Sequence, residues 1–328
     1  MQKLLFYIIV TPGSLRFLKF AMWSMQQRAD IEVALVANGL DVKEQQFLES
    51  FAEQLNCTQI QLPTNKVMSH GAALNVLLAA HQQPWFCFCD SDILSTDDDA
   101  RDIPLTTELA ALSSCEAMFW DDSPVKGLLG RCNQWPDGSV NLTSFFCVYQ
   151  TSVIKHLVDK YGVGFENIAI KAIHDQAIRD NLKHKGVAAV NRKLDTGKAL
   201  TVAMDIEGLA FEHAEIPSLL HIGGLSSWIL NGDKDLVHAE YELSDQDLYE
   251  LADQHSWLYN ARAIEDTENK QFYLRRQQRL AAARFCFQLI SHFVDNTPKP
   301  RHDLSNVALV AKINQIEAGL QRYHAETS

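Results

Sequence analysis

Apolar and polar positions follow two different periods along the first part of the chain. Runs of consecutive apolar residues, such as "LLFYIIV" and "WFCFC", are typical of strands buried on both faces. Between these runs, apolar residues recur every three or four positions, which is the helical period. The pattern predicts strands over 4–10, 31–38, 58–63 and 85–90, separated by helices over 14–27, 41–55 and 68–82.

Strands that alternate with helices of this length indicate an α/β fold, Rossmann-like, with a mostly parallel central sheet. The middle of the chain is less regular, and there the pattern predicts strands over 117–122 and 144–149 and helices over 151–160, 170–186 and 195–208.

The character changes after about residue 240, where only helical periodicity remains. Segments 244–259, 267–294 and 304–324 predict helices, and "DNTPKPRHD" separates the last two. We therefore expect a first domain over residues 1–235 and a helical C-terminal region over 236–328. This region is expected to pack on the first domain or to serve self-association as a homo-oligomer.

Polar residues follow three of the predicted strands, at the point where each strand ends. These strand ends are "TPGS", "NG" and "DSD", and they contain Thr11, Pro12, Asn38, Asp90, Ser91 and Asp92. The carboxyl ends of parallel strands share one edge of a sheet, which is where ligands bind in such folds. The sequence therefore predicts a single site at this edge.

The overall charge restricts the partners. The net charge is -12 and the pI is about 5.4, which disfavours nucleic acid and anionic membranes as bulk partners. The seven cysteines form no CxxC pair, and the apolar run at 4–10 is too short for a membrane span. These features predict a cytoplasmic protein with reduced thiols.

Asp90 and Asp92 are candidate metal ligands, since side chains at i and i+2 of an extended segment project to the same side. Mg²⁺ prefers carboxylate oxygens, and Mn²⁺ accepts them together with an imidazole nitrogen. His221, in "LLHIGGLSSW", is a candidate third ligand. The alternatives are a solvated or capping turn for the aspartates and a packed core position for the histidine.

Asp175 and Asp195 are candidate general bases, although each also suits a helix N-terminus. The sequence has no P-loop, no GxGxxG, no HExxH and no clustered thiolate zinc motif.

Taken together, these segments resemble an A-type (GT-A) glycosyltransferase domain, close to the large inverting family 2. The resemblance is carried by their order over about residues 4–228. "TPGS" and "VANGLD" match strand ends of the family, "SHGAALN" its G-x-A-x-x-x-N helix, and "FCFCDSDIL" its D-x-D strand end. "SFFCVYQTSVI" matches the acceptor-side strand, and the segment from Asp195 through His221 matches the closing segment. Leu74 departs from the arginine that many members carry beside the helix asparagine.

The resemblance implies a role for each candidate residue. Asp90, Asp92 and His221 would hold Mn²⁺ or Mg²⁺ on the diphosphate of a sugar nucleotide, with Ser91 beside it. The nucleoside pocket would be lined by Thr11, Pro12 and Asn38, with Asn75 close by. Asp195 or Asp175 would be the base, and its distance to His221 along the chain favours Asp195.

The implied activity is metal-dependent transfer of a sugar from a nucleotide-diphospho-sugar to an acceptor hydroxyl, with inversion. A UDP-sugar is the expected donor, a glycan or glycolipid the expected acceptor, and contact with the inner face of the membrane would be peripheral. The alternatives are a sugar-nucleotide-forming nucleotidyltransferase and a catalytically degenerate scaffold that carries the helical region.

Overall fold

The computed structural model of the protein describes residues 3–26, 28, 31–96, 103–115, 133–187, 193–222, 282 and 285–327. The predicted α/β fold is confirmed. The strands in chain order are β1 (Leu4–Val10), β2 (Ile31–Ala37), β3 (Thr58–Gln61), β4 (Trp85–Cys89), β5 (Ile93–Ser95), β6 (Leu109–Ser114), β7 (Phe146–Gln150), β8 (Ile168–Ala169), β9 (Lys193–Leu194), β10 (Ala210–His213) and β11 (Leu219–His221).

The helices cover both faces of the central sheet, and residues 170–172 add one 3₁₀ turn. In chain order they are α1 (Leu15–Gln26), α2 (Val42–Gln54), α3 (His70–Ala80), α4 (Thr151–Tyr161), α5 (Gln176–His184), α6 (Lys198–Ile206), α7 (285–295) and α8 (Val307–Thr327).

The central sheet has seven strands in the order β10-β6-β7-β4-β1-β2-β3. All neighbouring strands are parallel except at β7, which runs antiparallel to both β4 and β6. The sheet is therefore mostly parallel, as expected. The carboxyl ends of β1, β2, β4, β6 and β10 meet at one edge together with the start of β7.

The two small sheets attach the remaining segments to this edge. β5 pairs antiparallel with β11, and β8 pairs antiparallel with β9. Because β5 follows β4 after a three-residue turn, the pairing with β11 returns a distant part of the chain to the end of β4.

Several predicted elements differ in their bounds. The helix predicted over 170–186 begins only at Gln176, since Asp175 accepts a hydrogen bond from the Ile178 N–H and caps it. The helix predicted over 195–208 begins at Lys198, because Gly197 adopts a left-handed conformation with φ 74°.

The sequence pattern missed β6 and β10. The segment "LAALSS" of β6 is rich in residues without strand preference, and "AFEH" of β10 is half polar. The predicted strand 117–122 and the predicted helix 244–259 lie outside the described residues, as does most of the helix 267–294. The expected domain boundary near residue 235 also lies outside them.

The described C-terminal helices pack on the α/β domain. Residues from α7 and α8 form one hydrophobic cluster with Phe20 of α1 and Leu94 of β5. At Gly319 a Cβ atom would lie 3.3 Å from the Phe20 ring, so α8 approaches α1 closely. Six cysteines of the described residues are free thiols. No helix in the described ranges is both long and apolar enough to span a bilayer.

Candidate metal and donor site

Strand β4 fixes the position of Asp90. β4 is hydrogen-bonded to β1 on one side and to β7 on the other, and directly after it the Asp90 N–H donates to the Phe145 carbonyl at 2.8 Å. The turn that follows is closed by the Ile93 N–H, which donates to the Asp90 carbonyl at 3.3 Å. Asp92 is 3% exposed and Asp90 is partly exposed, so the pair joins the protein interior to the open edge.

His221 reaches this turn through the small sheet. It is the last residue of β11 and pairs with Ile93 of β5. The next residue, Ile222, donates its N–H to the Asp92 carbonyl at 3.2 Å. The imidazole is 1% exposed and lies against the Phe145 ring, with 4.0 Å between the ring centroids. Backbone pairing and ring packing together fix its orientation.

The three predicted metal ligands form one cluster. His221 Nε2 lies 3.2 Å from Asp92 Oδ1 and 3.4 Å from Asp90 Oδ2. One donor atom from each of the three side chains lies within 4.8 Å of the others. Neither ring nitrogen of His221 makes a well-aligned hydrogen bond with a described residue.

This cluster fits a divalent cation. An octahedral ion with ligands at about 2.1 Å holds adjacent ligand atoms about 3 Å apart, close to the separations found here. The buried imidazole nitrogen faces two carboxylates. Together these three groups form a ligand set for Mn²⁺, and the two carboxylates alone suit Mg²⁺.

The carboxylates also control the charge of His221. Burial alone would lower the pKa of the imidazole, but Asp92 and Asp90 outweigh that effect and raise the pKa to about 9. The raised pKa favours the protonated form of His221 as long as no metal ion is bound. To hold a metal ion, His221 would have to release that proton, since a metal ligand must be deprotonated.

The strand ends of β1 and β2 lie next to this cluster along the edge. At Thr11 the backbone is fixed by Ser14, whose Oγ accepts from the Thr11 N–H at 3.1 Å and donates to the Thr11 carbonyl at 2.7 Å. Thr11 Oγ1 is buried and has no hydrogen-bond partner among the described residues. Pro12 is half-buried at the same turn, and Ser91 is buried between the two aspartates.

Asn38 uses both ends of its side-chain amide on the backbone of Met68. Its Nδ2 donates to the Met68 carbonyl at 3.0 Å, and its Oδ1 accepts from the Met68 N–H at 2.8 Å. Gly39 allows this loop to approach, because a Cβ there would lie 2.5 Å from the Val67 nitrogen. Asn38 therefore holds the loop before α3 against the end of β2.

The remaining predicted residues lie on other segments, outside the metal cluster. Asn75 is on α3, where its Oδ1 accepts from the Phe165 N–H at 2.9 Å. Asp175 caps α5. Asp195 is exposed directly after β9, and its Oδ1 accepts from the Thr196 N–H at 2.8 Å. The structure thus brings together Asp90, Asp92 and His221, and it places Asp195 directly after β9 and Asp175 at the start of α5.

His70 is a site residue that the sequence interpretation missed. It is the first residue of α3, and its Nε2 lies 3.6 Å from Asp90 Oδ1, on the other carboxylate oxygen from the one facing His221. Its ring meets Phe88 edge-on. The signal was available, since a helix that follows β3 in a parallel sheet must begin at the carboxyl edge.

No protein-family model and no curated protein matches the chain. The chain is similar to the solved structure of the mannosyltransferase PcManGT from Pyrobaculum calidifontis in complex with GDP-Man and Mn²⁺, with 11% identity, a TM-score of 0.42 and coverage of 100% of this chain and 89% of that chain. For S. aureus TarS 1-349 the values are 14% identity, a TM-score of 0.34 and coverage of 98% and 92%.

A third similar structure is 4-diphosphocytidyl-2C-methyl-D-erythritolsynthase from Anaerococcus prevotii, with 11% identity, a TM-score of 0.40 and coverage of 70% of this chain and 96% of that chain. A mannosyltransferase is thus among the solved structures that the chain resembles. Identities of 11–14% and TM-scores of 0.34–0.42 are low, and the functional proposal therefore rests on the side chains of this chain.

Proposed function

We propose that the protein is a metal-dependent glycosyltransferase that moves a sugar from a nucleotide-diphospho-sugar to an acceptor hydroxyl, with inversion. The single observation that carries the proposal is the Asp90–Asp92–His221 cluster at the carboxyl edge of a mostly parallel sheet. A diphosphate bound at this acidic edge needs local neutralisation, and the cluster is a ligand set for a cation that would supply it.

The three residues of the cluster would hold the ion from different positions. Asp92 and His221 are buried, whereas Asp90 is partly exposed and would face the open side where a diphosphate would lie. When bound, Mn²⁺ or Mg²⁺ supplies Lewis-acid stabilisation of the charge that develops on the departing nucleoside diphosphate. His70 lies on that open side and supports Asp90 from its second oxygen.

The proton of the acceptor hydroxyl is taken by a carboxylate in this proposal. Asp195 is the first candidate, because it is exposed and has one carboxylate oxygen directed to its own turn while the second is available. Asp175 is the alternative, with one oxygen used as the cap of α5. Inversion follows if the base and the leaving group lie on opposite sides of the anomeric carbon.

The nucleoside would lie along the ends of β1 and β2, against Thr11, Pro12 and the loop that Asn38 holds. A UDP-sugar stays the first donor to test and a GDP-sugar the second. The proposal also includes a glycan or glycolipid acceptor and a cytoplasmic location with peripheral membrane contact. It further includes self-association through the C-terminal helices. The proposed transferase domain ends near residue 235.

The proposal is tested by thermal unfolding of the protein with Mn²⁺ and a panel of nucleotides. Wild type should unfold at a higher temperature with UDP or GDP only when Mn²⁺ is present, and Asp92→Asn should lose that response. Asp159→Asn, an exposed change on α4, is the matched control and should keep it. Absence of any nucleotide response in wild type would refute the proposal, and a response to a triphosphate plus a sugar phosphate would favour a nucleotidyltransferase.

A further inference from the structure

Asn75 connects α3 to a segment far from it in sequence. Its Oδ1 accepts from the Phe165 N–H at 2.9 Å. The neighbouring Gly164 makes this contact possible, because a Cβ at that position would lie 2.6 Å from Asn75 Oδ1. The amide oxygen of Asn75 therefore binds the backbone of segment 163–166 directly.

The same segment touches α3 a second time, one helical turn earlier. At Gly71 a Cβ would lie 2.3 Å from the Phe165 carbonyl oxygen and 2.5 Å from Glu166 Cα. Gly71 directly follows His70, which lies 3.6 Å from Asp90. Segment 163–166 is thus seated on the end of α3 that faces the metal cluster.

Phe165 also contacts the segment that carries the candidate base Asp195. Its carbonyl accepts from the Gly197 N–H at 3.1 Å, which fixes the turn that begins at Asp195. Thr196 adds a hydrogen bond from its Oγ1 to Asn167 Oδ1 at 2.9 Å. β8 and β9 continue the contact, and the chain leaves β8 toward Asp175.

We propose that Asn75 is a positioning residue. Through its hydrogen bond with Phe165 it sets the distance between the metal cluster and the candidate bases Asp195 and Asp175. This role rests on the proposed glycosyltransferase activity, and the proximity of Asn75 to the nucleoside stays a separate prediction. Displacement of a reacting group by about 1 Å can cost roughly 10²-fold in rate. Asn75 therefore acts on turnover and leaves nucleotide binding unchanged.

The test compares Asn75→Leu, which has the same branching at Cγ without the acceptor, with Asn75→Asp, which keeps an oxygen for the Phe165 N–H. Turnover is measured as Mn²⁺-dependent release of UDP from UDP-glucose and of GDP from GDP-mannose, with water as acceptor. Affinity is measured by calorimetry with UDP or GDP and Mn²⁺. Ala79→Ser, an exposed change on the same helix, is the control.

Asn75→Leu should lower turnover roughly 10²-fold with unchanged nucleotide affinity, and Asn75→Asp should restore most of the rate. Gly164→Ala should reproduce the loss from the other side of the contact. If Asn75→Leu bound UDP or GDP more weakly at unchanged turnover, or if it kept full activity, the positioning role would be overturned. The proposed function would not be affected by either result. A wild type that neither binds these nucleotides with Mn²⁺ nor releases them would instead refute the proposed function, and the positioning role with it.

Discussion

Nε2 of His221 lies 3.2 Å from Oδ1 of Asp92, and the backbones of the two segments are joined as well. The Ile222 N–H donates to the Asp92 carbonyl, and β11 pairs with β5 directly after the aspartate. The side-chain contact is therefore built into the sheet, and it does not depend on a flexible loop reaching the strand end. Such preorganisation is what a site for a divalent cation requires.

His70→Ala should weaken Mn²⁺ binding in the presence of UDP roughly tenfold, because Asp90 loses the group that faces its Oδ1. His70→Gln should recover part of the affinity, since its amide nitrogen can reach a similar position. Electron paramagnetic resonance of free Mn²⁺ measures the difference. His156→Ala, an exposed histidine on α4, is the control, and equal affinities for all variants would exclude a supporting role.

Asp195→Asn and Asp175→Asn should separate the two candidate bases. Loss of the base lowers turnover roughly 10²- to 10⁴-fold while metal-dependent nucleotide binding stays intact. Asn keeps the capping oxygen at Asp175 and the oxygen that accepts from the Thr196 N–H at Asp195, so we expect the fold to be preserved in both variants. We expect the loss of turnover in Asp195→Asn. A loss in Asp175→Asn instead would identify Asp175 as the base. Full activity of both variants would contradict base catalysis by either residue.

Gly71→Ala should destabilise the protein by about 1–3 kcal/mol, because the new methyl group overlaps the Phe165 carbonyl and backbone atoms of the next residue. Chemical denaturation followed by circular dichroism measures the free energy of unfolding. Ala79→Ser on the exposed side of α3 should stay close to wild type. A Gly71→Ala protein as stable as wild type would mean that segment 163–166 is not seated on α3 as described.

His213 should make folding stability depend on pH. Burial, with a smaller effect from Lys198, lowers the pKa of its imidazole from 6.5 to about 4 in the folded protein. The unfolded chain therefore binds this proton at a higher pH than the folded protein does. The stability due to neutral His213 is complete above pH 6.5 and is lost as the pH falls toward 4.

His213→Asn should flatten this dependence, since the amide can replace Nδ1 in the contact with Ser113 Oγ but does not titrate. The free energy of unfolding of both proteins between about pH 6.5 and 5, where most carboxylates stay ionised, measures the effect. Parallel pH profiles for wild type and variant would show that folding does not lower the pKa of His213.

The sequence predicted the parts of the site that lie at strand ends. The apolar run before Asp90 predicted a buried strand, and strand alternation placed Asp90, Asp92 and Asn38 at one edge. It could not show that β11 pairs with β5, because a three-residue strand has too little pattern to specify its partner.

The partners of the two asparagines were also beyond the sequence. Asn38 and Asn75 were expected at the nucleoside, and in the structure their amides bind the backbones of Met68 and Phe165. A sequence shows that a polar side chain stands at an edge, but the group it meets depends on long-range packing. The strands β6 and β10 were missed for the same reason, since tertiary context outweighs the weak strand preference of their residues.

The most direct test is a crystal structure of the protein grown with Mn²⁺ and UDP, with data collected to locate manganese by anomalous scattering. We expect one manganese ion about 2.1 Å from oxygens of Asp90 and Asp92 and from Nε2 of His221, with the diphosphate on its open side. Manganese bound away from these three residues, or UDP bound with no ion between the diphosphate and Asp90, would contradict the proposed metal-dependent transfer.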